Sequence, residues 1–328
     1  MDRKGKVLVT GANGFLATNA IAALVEAKYE VRGLLRKRGT YIGKNCLSLE
    51  LQEGSFTDAP TLRKALEGCD FVVHIAALTG QNAKAEDYRR VNVDATVQLA
   101  HEAVKAGIRK MVYVSSANAF AYGTAEKPGD ETRPTKDPFT KSEYALSKAQ
   151  AQKEILKFSD RMEVVVVNPT FMLGPMDIKP SSGRIITMAY GRRIMAAPPG
   201  GKNFVHVGDV AEGIVAALAK GRNGEAYLLS GENMDYCRFY NTLAKVSGKK
   251  MWIIKMPAGL MYAIGHVCDF LGRLGIRTDA SLTNMQLLCT GNYYTNAKAR
   301  TDLGIEFRSA EEAVRDAVRW FRANKMLK

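Results

Sequence analysis

The chain has 328 residues, of which 46% are hydrophobic and 24% charged, so it can bury a large core and is not expected to be disordered. Its formal net charge of +14 permits a nucleic-acid partner, but the basic residues are spread along the chain without interleaved aromatic residues, so we predict no nucleic-acid binding. The five cysteines and four histidines show no disulfide or metal-ligand spacing, which predicts reduced thiols, a cytoplasmic location and no metal site.

The first half of the chain alternates short apolar runs with helical patterns. The predicted strands span residues 6–9, 30–35, 47–53, 71–75, 111–115 and 164–167. Helices are predicted between them at 15–27, 61–67, 86–106 and 142–158. Strands with almost no polar alternation are typical of a parallel sheet that is covered on both faces. We therefore predict an α/β fold with a doubly wound parallel sheet, a Rossmann fold, and ligands at the carboxyl ends of its strands.

After residue 169 the alternation loosens, and Gly-Pro and Pro-Gly pairs indicate loops. Helical patterns follow at 209–220, 236–246 and 310–324. We interpret residues 1–168 as a dinucleotide-binding domain. Residues 169–328 are predicted to form a smaller, mainly substrate-binding portion that is interleaved with the sheet.

One long apolar pattern, 251–275, does not qualify as a membrane span, because polar or helix-breaking residues interrupt it. They are Lys255, Pro257, His266, Asp269 and Arg273. The apolar residues that repeat there at helical spacing are Leu260, Ile264, Val267, Leu271 and Leu274. We predict no transmembrane segment but a helix that faces the core or covers a pocket, with peripheral contact to a membrane surface as the alternative.

A glycine-rich turn follows the first predicted strand, with the sequence Thr10-Gly11-Ala12-Asn13-Gly14-Phe15-Leu16-Ala17. Without side chains at positions 11 and 14, the backbone can approach a pyrophosphate, and the N–H groups at the start of the next helix can bind it. Gly-x-x-Gly alone can be only a tight turn, but its place between a strand and a helix favours a nucleotide site. The cofactor contacts predicted from this turn are Gly11, Asn13, Gly14, Phe15 and Leu16.

The end of the second predicted strand indicates which nucleotide binds. An acidic residue there would accept the ribose hydroxyls of NAD. This chain has Arg36-Lys37-Arg38 instead, and Arg36 can pair with a 2′-phosphate, so we predict NADP(H), with NAD(H) as the alternative. A solvated basic turn that binds no ligand is the other interpretation of these charges.

Tyr144 and Lys148 lie four residues apart and therefore share one face of a predicted helix. A nearby ammonium, together with the charge of an oxidised nicotinamide, would lower the pKa of the phenol and make Tyr144 a general acid or base. Ser115 and Ser116 end the fifth predicted strand, where a hydroxyl could hold a substrate carbonyl beside that phenol. The alternative is a serine pair that only caps the strand end.

These motifs occur in an order that resembles the extended short-chain dehydrogenases/reductases. They are Thr10-Gly11-x-x-Gly14-x-x-Ala17, Val73-His74-Ile75-Ala76-Ala77, Val91-Asn92-Val93, Tyr113-Val114-Ser115-Ser116, Tyr144-x-x-x-Lys148 and Asn168-Pro169-Thr170-Phe171-Met172-Leu173-Gly174-Pro175. Similar segments at 203–210 and 298–304 extend the resemblance over nearly the whole chain. The ordered motifs are specific for the superfamily but not for a substrate.

The resemblance implies a role for each residue that matches a family motif. Ser116 would be the catalytic serine, with Ser115 as the alternative register, Tyr144 the acid or base, and Lys148 a ligand of the nicotinamide ribose. Other cofactor-lining residues that it implies are Ser55, Phe56, Ala76, Ala77, Asn92, Ser115, Tyr144, Pro169 and Thr170. Ser55 and Phe56 follow the third strand, where the family often has an aspartate near the adenine. The resemblance also implies a homodimer through 86–106 and 142–158.

Within the superfamily, residues 168–175 and the loops at 180–183 and 199–204 are most similar to the branch of dihydroflavonol reductases and 3β-hydroxysteroid dehydrogenases. This implies hydride transfer between NADPH and a ketone, an aldehyde or a secondary alcohol of a small hydrophobic substrate. A nucleotide-sugar epimerase or dehydratase with tightly bound NAD is the alternative, and its substrate diphosphate could bind Arg184, Arg192 and Arg193. A third interpretation is a catalytically silent NADP sensor, which would need no proton donor at Tyr144.

Overall fold

The computed structural model describes residues 4–80, 83–273 and 281–327. Its strands are β1 (Lys6–Thr10), β2 (Glu30–Leu35), β3 (Leu49–Glu53), β4 (Phe71–His74), β5 (Lys110–Val114), β6 (Glu163–Pro169), β7 (Phe171–Leu173), β8 (Ile194–Ala197), β9 (Gly201–His206), β10 (Ala226–Leu229), β11 (Glu232–Asp235), β12 (Trp252–Lys255) and β13 (Gly291–Asn292). Its helices are α1 (Phe15–Glu26), α2 (Ala59–Leu66), α3 (Ala85–Tyr88), α4 (Ala95–Lys105), α5 (Glu143–Leu156), α6 (Arg184–Ala189), α7 (Val207–Lys220), α8 (Tyr236–Ser247), α9 (Ala258–Arg273), α10 (Leu282–Cys289), α11 (Ala297–Leu303) and α12 (Ala310–Ala323). A π-helical turn, Arg89–Asp94, joins α3 to α4 inside the predicted helix at 86–106.

Seven parallel strands form the central sheet in the order β10-β6-β5-β4-β1-β2-β3. In the register, Thr10 at the end of β1 lies beside Leu34 of β2 and His74 of β4. The chain therefore winds outward from β1 in both directions, and such sheets bind ligands where the winding reverses, here between the carboxyl ends of β1 and β4. The predicted α/β fold with a doubly wound parallel sheet is confirmed.

Helices cover both faces of this sheet because the strands are apolar on both sides. In β1, Val7 and Val9 pack into a core with α1 and α7, whereas Leu8 packs on the other face with α2, α4 and α5.

The predicted strand ends are less accurate than the strands themselves. The third strand begins at Leu49 rather than at residue 47, because the Leu47 side chain is fully exposed and contributes nothing to either core.

The C-terminal half contributes both to the central sheet and to a separate layer. β10 pairs with β6 at one edge of the central sheet, and α7 packs against α1. A smaller sheet, formed by β11, β9, β13 and β7, packs against α8 and α12. Residues 226–229 thus complete a sheet that begins at residue 6, and the domain boundary at residue 168 stays a prediction.

α9 packs against α10 through a face that contains a glycine. A Cβ added at Gly265 would lie 2.7 Å from Leu282 Cα, so the two helices approach each other closely there. The predicted apolar stripe lies on a different side of α9, where Leu260, Ile264 and Val267 are 48%, 37% and 58% exposed. The prediction that this stripe faces the core is wrong for these three residues, because the glycine face forms the close contact instead.

Leu274, the last member of the predicted stripe, lies outside the described residues. Within the described part of the chain, no helix is both long enough and apolar enough to cross a membrane.

Candidate active site at the carboxyl ends of the central sheet

The turn between β1 and α1 is crowded at both of its glycines, and the backbone at the first of them also favours glycine. Gly11 has a φ of +71°, and a Cβ there would lie 3.0 Å from Ala76 Cα. A Cβ at Gly14 would lie 3.1 Å from the carbonyl oxygen of Gly11. The N–H groups of Phe15 and Leu16 belong to the first turn of α1 and so have no partner within the helix. This turn fits a pyrophosphate, because these two helix N–H groups can donate to it next to glycines that carry no side chain.

Buried hydrogen bonds hold the neighbouring strand ends against this turn. The Thr10 hydroxyl accepts the N–H groups of Ile75 and Ala76, each at 3.2 Å, and lies 2.7 Å from His74 Nδ1. It therefore donates its proton to Nδ1, and the other ring nitrogen of His74 donates to Thr96 at 3.0 Å. Burial lowers the pKa of His74 to about 3, so the ring stays neutral and acts as a structural link. Sequence reasoning missed this role of His74.

The basic residues after β2 lie next to the glycine turn. The Asn13 side chain donates to Thr40 Oγ1 at 2.7 Å, which ties the turn to the loop that follows β2. The Arg38 guanidinium is held by the carbonyl oxygen of Leu51 at 2.6 Å. Arg36 is exposed and has no carboxylate partner among the described residues, so its guanidinium can reach a ligand phosphate.

The residues after β3 and β4 line the same edge of the sheet. Ser55 Oγ lies 2.8 Å from Thr57 Oγ1, and the ring of Phe56 packs 5.2 Å from the ring of His74. Ala77 is half-buried and follows Ala76, which lies against Gly11. The structure therefore brings these predicted residues to the cofactor edge, while their contacts with a nucleotide stay predictions.

Ser116 and Tyr144 meet at the end of β5. The hydroxyl of Ser116 lies beside the Tyr144 phenol, where it acts to lower the pKa of that phenol, and it accepts the N–H of Asn118 at 3.3 Å. Ser115 points elsewhere: it is buried, and its hydroxyl donates to the carbonyl oxygen of Lys148 at 3.4 Å. Of the two serines, only Ser116 can share a ligand atom with Tyr144.

Lys148 lies below this pair and is almost completely buried. Its ammonium donates to the carbonyl oxygen of Val114 at 2.6 Å and lies 4.5 Å from the centre of the Tyr113 ring. Burial lowers the pKa of Lys148 to about 7. Such a shift concentrates at functional sites because the group can gain or lose its proton near neutral pH.

Burial raises the pKa of Tyr144 to about 12, and the hydrogen bond from Ser116 opposes this only in part. Desolvation therefore dominates in the protein by itself, where the Lys148 ammonium bonds to Val114. That Lys148 together with an oxidised nicotinamide lowers the pKa of the phenol stays a prediction. Tyr144 is thus a protonated phenol, poised to donate.

Asn92 fastens the α5 helix to the loop after β4. Its side-chain oxygen accepts the N–H of Leu78 at 2.7 Å, and its amide donates to the carbonyl oxygen of Leu78 and to Ser147 Oγ, each at 3.0 Å. Ser147 in turn donates to the carbonyl oxygen of Tyr144 at 2.8 Å. Asn92 lies in the π-helical turn, a feature that is frequent at functional sites. The structure places Asn92 where it steadies the position of Tyr144.

Asn168, at the end of β6, is a positioning residue that sequence reasoning missed. It is fully buried and donates to the carbonyl oxygen of Ser116 and to the side chain of Gln152, each at 2.8 Å. In the sequence, Asn168 stands out only as the first residue of the family motif at 168–175, which does not indicate its hydrogen-bond partners. Pro169 and Thr170 come next in the chain. The Thr170 hydroxyl donates to the side-chain oxygen of Asn203 at 2.7 Å, so its proton is bound within the protein, and its predicted contact with the cofactor stays a prediction.

A second lysine, Lys202 of β9, lies in the neighbouring wall and was also missed. Its ammonium lies 5.1 Å from the centre of the Phe171 ring, and burial lowers its pKa to about 8. Lys202 is the register partner of Asn292 in the smaller sheet. The side-chain amide nitrogen of Asn292 lies 3.5 Å from the side-chain oxygen of Asn118, and the backbone N–H of Asn118 donates to the Ser116 hydroxyl. Among the described residues, no carboxylate forms an ion pair with Lys202.

Comparisons with known proteins show what the chain as a whole is similar to. The model of the NAD dependent epimerase/dehydratase family matches residues 7–230. The chain is 31% identical to the sterol demethylase protein B of Methylococcus capsulatus, over 98% of this chain and 99% of that protein. It is 27% identical to a 3-beta-hydroxysteroid dehydrogenase of Mycolicibacterium neoaurum, over 97% of this chain and 91% of that protein. Among solved structures, a nucleoside-diphosphate-sugar epimerase from Pseudomonas aeruginosa superposes with a TM-score of 0.77 at 25% identity, over 99% of this chain and 100% of that chain.

Proposed function

The chain belongs to the NAD dependent epimerase/dehydratase family, and we propose that within it the protein is an NADP-dependent reductase. Family membership confirms the resemblance to the extended short-chain dehydrogenases/reductases and makes the protein an oxidoreductase of that type. The proposed reaction transfers hydride between NADPH and a ketone, an aldehyde or a secondary alcohol. The observation that carries the proposal is the placement of the Tyr144 phenol beside Ser116, at the end of the strand whose last carbonyl oxygen accepts a hydrogen bond from the Lys148 ammonium.

The chain's own residues would move the proton and hold the carbonyl. Bound NADPH supplies the hydride that the carbonyl carbon receives. Tyr144 donates its proton to the carbonyl oxygen, so that the alcohol forms, and in the reverse direction the phenolate takes that proton back. Ser116 accepts the N–H of Asn118, and its own proton, which is directed at the Tyr144 phenol, would turn to donate to the same carbonyl oxygen when substrate binds. Asn168 fixes the backbone of Ser116 and keeps this geometry.

The cofactor would be held by the glycine turn and by two cations. The crowding around a Cβ at Gly11 and the N–H groups of Phe15 and Leu16, which have no partner within α1, fit a pyrophosphate. Arg36 would pair with the 2′-phosphate that distinguishes NADP from NAD. Lys148 would bind the ribose next to the nicotinamide.

The substrate would be a small hydrophobic molecule with oxygen functions. Phe171 offers an aromatic wall, and Lys202 and Asn292 place a cation and an amide on the same wall. The names of the relatives, sterol demethylase protein B and a 3-beta-hydroxysteroid dehydrogenase, support a polycyclic or similarly apolar substrate.

A nucleotide-sugar epimerase with bound NAD is the second candidate, and the similarity to a nucleoside-diphosphate-sugar epimerase favours it. Its diphosphate would need cations in the cleft. Arg184, Arg192 and Arg193 are all exposed, and Arg193 lies on an outer surface beside Trp252. This placement makes the reductase the better-supported proposal.

The first experiment identifies the nucleotide that denaturation releases and then measures NADPH oxidation with a panel of hydrophobic ketones. We expect ketone-dependent oxidation that Tyr144→Phe reduces by about a thousandfold or more, because the proton donor is lost. Tyr190→Phe, at a surface position outside the cleft, is the matched control and should keep full activity.

Other outcomes would identify the competing functions. Release of NAD, with conversion of a sugar nucleotide and no net redox change, would establish the epimerase. Tight NADPH binding without turnover of any carbonyl compound would establish the sensor.

A further inference from the structure

The outer side of α9 is an apolar stripe that no part of the described chain covers. Leu260, Ile264 and Val267 follow one another at helical spacing, and Phe270 continues the apolar side with 59% of its area exposed. The buried side of the helix is occupied by α10. The stripe therefore exposes large apolar side chains on a helix that already has its structural partner.

The short sheet formed by β8 and β12 has the same property. Trp252 and Ile194 are register partners, so their side chains lie on one face, and they are 77% and 62% exposed. Ile254 lies on that face too and is also exposed, whereas Ile253 packs inward against the C-terminal core. Only residues 256 and 257 separate β12 from α9, so the two elements that carry these exposed apolar residues follow each other directly along the chain.

We call these faces together the α9–β12 surface. Its apolar members are Ile194, Trp252, Ile254, Leu260, Ile264, Val267 and Phe270.

The charges around the α9–β12 surface are mostly positive. The chain contains 33 acidic residues, yet the two segments that contain this surface, 178–208 and 236–270, include only one, Asp269, whose carboxylate accepts the N–H of Leu282 at 3.3 Å. They contain ten lysines and arginines. Arg193, Lys249 and Lys250 line a shallow concavity with Trp252, and Lys255 is exposed at the end of β12. Within the described residues none of these four cations pairs with a carboxylate.

This combination selects one kind of partner. An apolar face bordered by cations, with an exposed tryptophan, is complementary to the boundary between acyl chains and anionic headgroups. Nucleic acid would satisfy the cations but not the apolar stripe. A second copy of the same surface would satisfy the stripe but would bring like charges together.

We propose that the α9–β12 surface docks the protein on an anionic lipid bilayer, with α9 lying in the plane of the interface. The helix inserts its apolar stripe among the acyl chains near the headgroups, while the cations contact lipid phosphates. Docking of this kind is peripheral and does not depend on which reaction the cleft performs.

Sedimentation with vesicles tests the apolar part of the proposal. We expect the full chain to bind vesicles that contain phosphatidylglycerol and to bind pure phosphatidylcholine vesicles far more weakly. Val267→Glu should reduce the partition coefficient by about tenfold or more, because a carboxylate replaces apolar area in the interface. Leu47→Glu is the control, since it places the same charge at a fully exposed leucine on the loop before β3 and should leave binding nearly unchanged.

Two double variants of equal net charge test the electrostatic part. Lys249→Glu with Lys250→Glu and Lys127→Glu with Lys153→Glu both lower the formal charge from +14 by the same amount. Only the first pair lies on the α9–β12 surface, so only it should abolish binding. The emission of Trp252 should shift to the blue when anionic vesicles are added, and this shift should be absent in Trp252→Phe.

Three results would overturn the proposal: no binding of the folded chain to anionic vesicles, equal losses in the two double variants, or a self-associating chain that Val267→Glu renders monomeric. The last result would show that a second copy covers the surface. Circular dichroism and nucleotide binding verify that each variant is folded.

Discussion

Polar side chains usually face water and apolar side chains are usually buried, and the catalytic cleft and the α9–β12 surface depart from this in opposite ways. In the cleft, polar groups are removed from water: Lys148 is 2% and Asn92 1% exposed, and each is hydrogen-bonded to its own chain. On the α9–β12 surface, apolar groups remain in water: Trp252 is 77% and Val267 58% exposed. Buried polar groups with internal partners indicate chemistry inside the fold. Exposed apolar groups without partners indicate a partner outside it.

The largest effect that would test this comparison concerns the two serines at the end of β5. Ser116→Ala should lower kcat/KM for a ketone by about a hundredfold or more, because the hydroxyl beside Tyr144 holds the reacting oxygen. Ser115→Ala, whose hydroxyl contacts only the backbone of Lys148, should cost less than about tenfold. Steady-state kinetics at saturating NADPH measure both, and equal losses would contradict the assignment of Ser116.

Burial of Lys148 should make stability depend on pH. Its pKa falls from 10.5 to about 7, so between these values the unfolded chain binds more protons than the folded one, and stability rises with pH. Between pH 7 and pH 9 the gain from this residue is about 2 kcal/mol.

Urea unfolding at both pH values measures this gain. Lys148→Met should remove it, whereas Lys153→Met, on the exposed side of the same helix, should retain it. If Lys148→Met kept the same pH dependence, the ammonium would not be desolvated in the folded state.

Arg36 lies at the rim of the cleft and should have an intermediate effect. Arg36→Ala should weaken NADPH binding by about tenfold or more while NADH binding changes little, because one charge-assisted contact with the 2′-phosphate is lost. Titration of nucleotide fluorescence measures both affinities, and Lys37→Ala serves as the neighbouring control. Equal weakening of NADPH and NADH would refute the preference for NADP.

The smallest effect on stability belongs to the α9–β12 surface. Val267→Ser should change the free energy of unfolding by less than about 0.5 kcal/mol, since the side chain is exposed in the folded protein as in the unfolded one. Leu243→Ala, in the buried face of α8, should cost about 2 to 5 kcal/mol. Chemical denaturation compares the two, and a large loss in Val267→Ser would mean that the stripe has a structural role within the fold.

The parts of the molecule that the sequence predicted well depend on local patterns. Strand and helix periodicity yielded the parallel sheet, and the glycine turn, Arg36, Ser116, Tyr144 and Lys148 do lie at the carboxyl ends of its strands. Asn168, His74 and Lys202 were missed as contributors to the site, because their importance comes from partners that are distant in sequence. The homodimer and the cytoplasmic location stay predictions.

The sequence by itself determined that the chain forms a doubly wound sheet with a glycine turn and a tyrosine–lysine pair, because these features depend on residue spacing along one strand or helix. Only the tertiary structure decided which serine meets Tyr144, that burial raises the pKa of that phenol, and that the α9 stripe points outward. Spacing defines which residues share a face. What that face contacts, and how much water it loses, depends on the elements that pack against it from elsewhere in the chain.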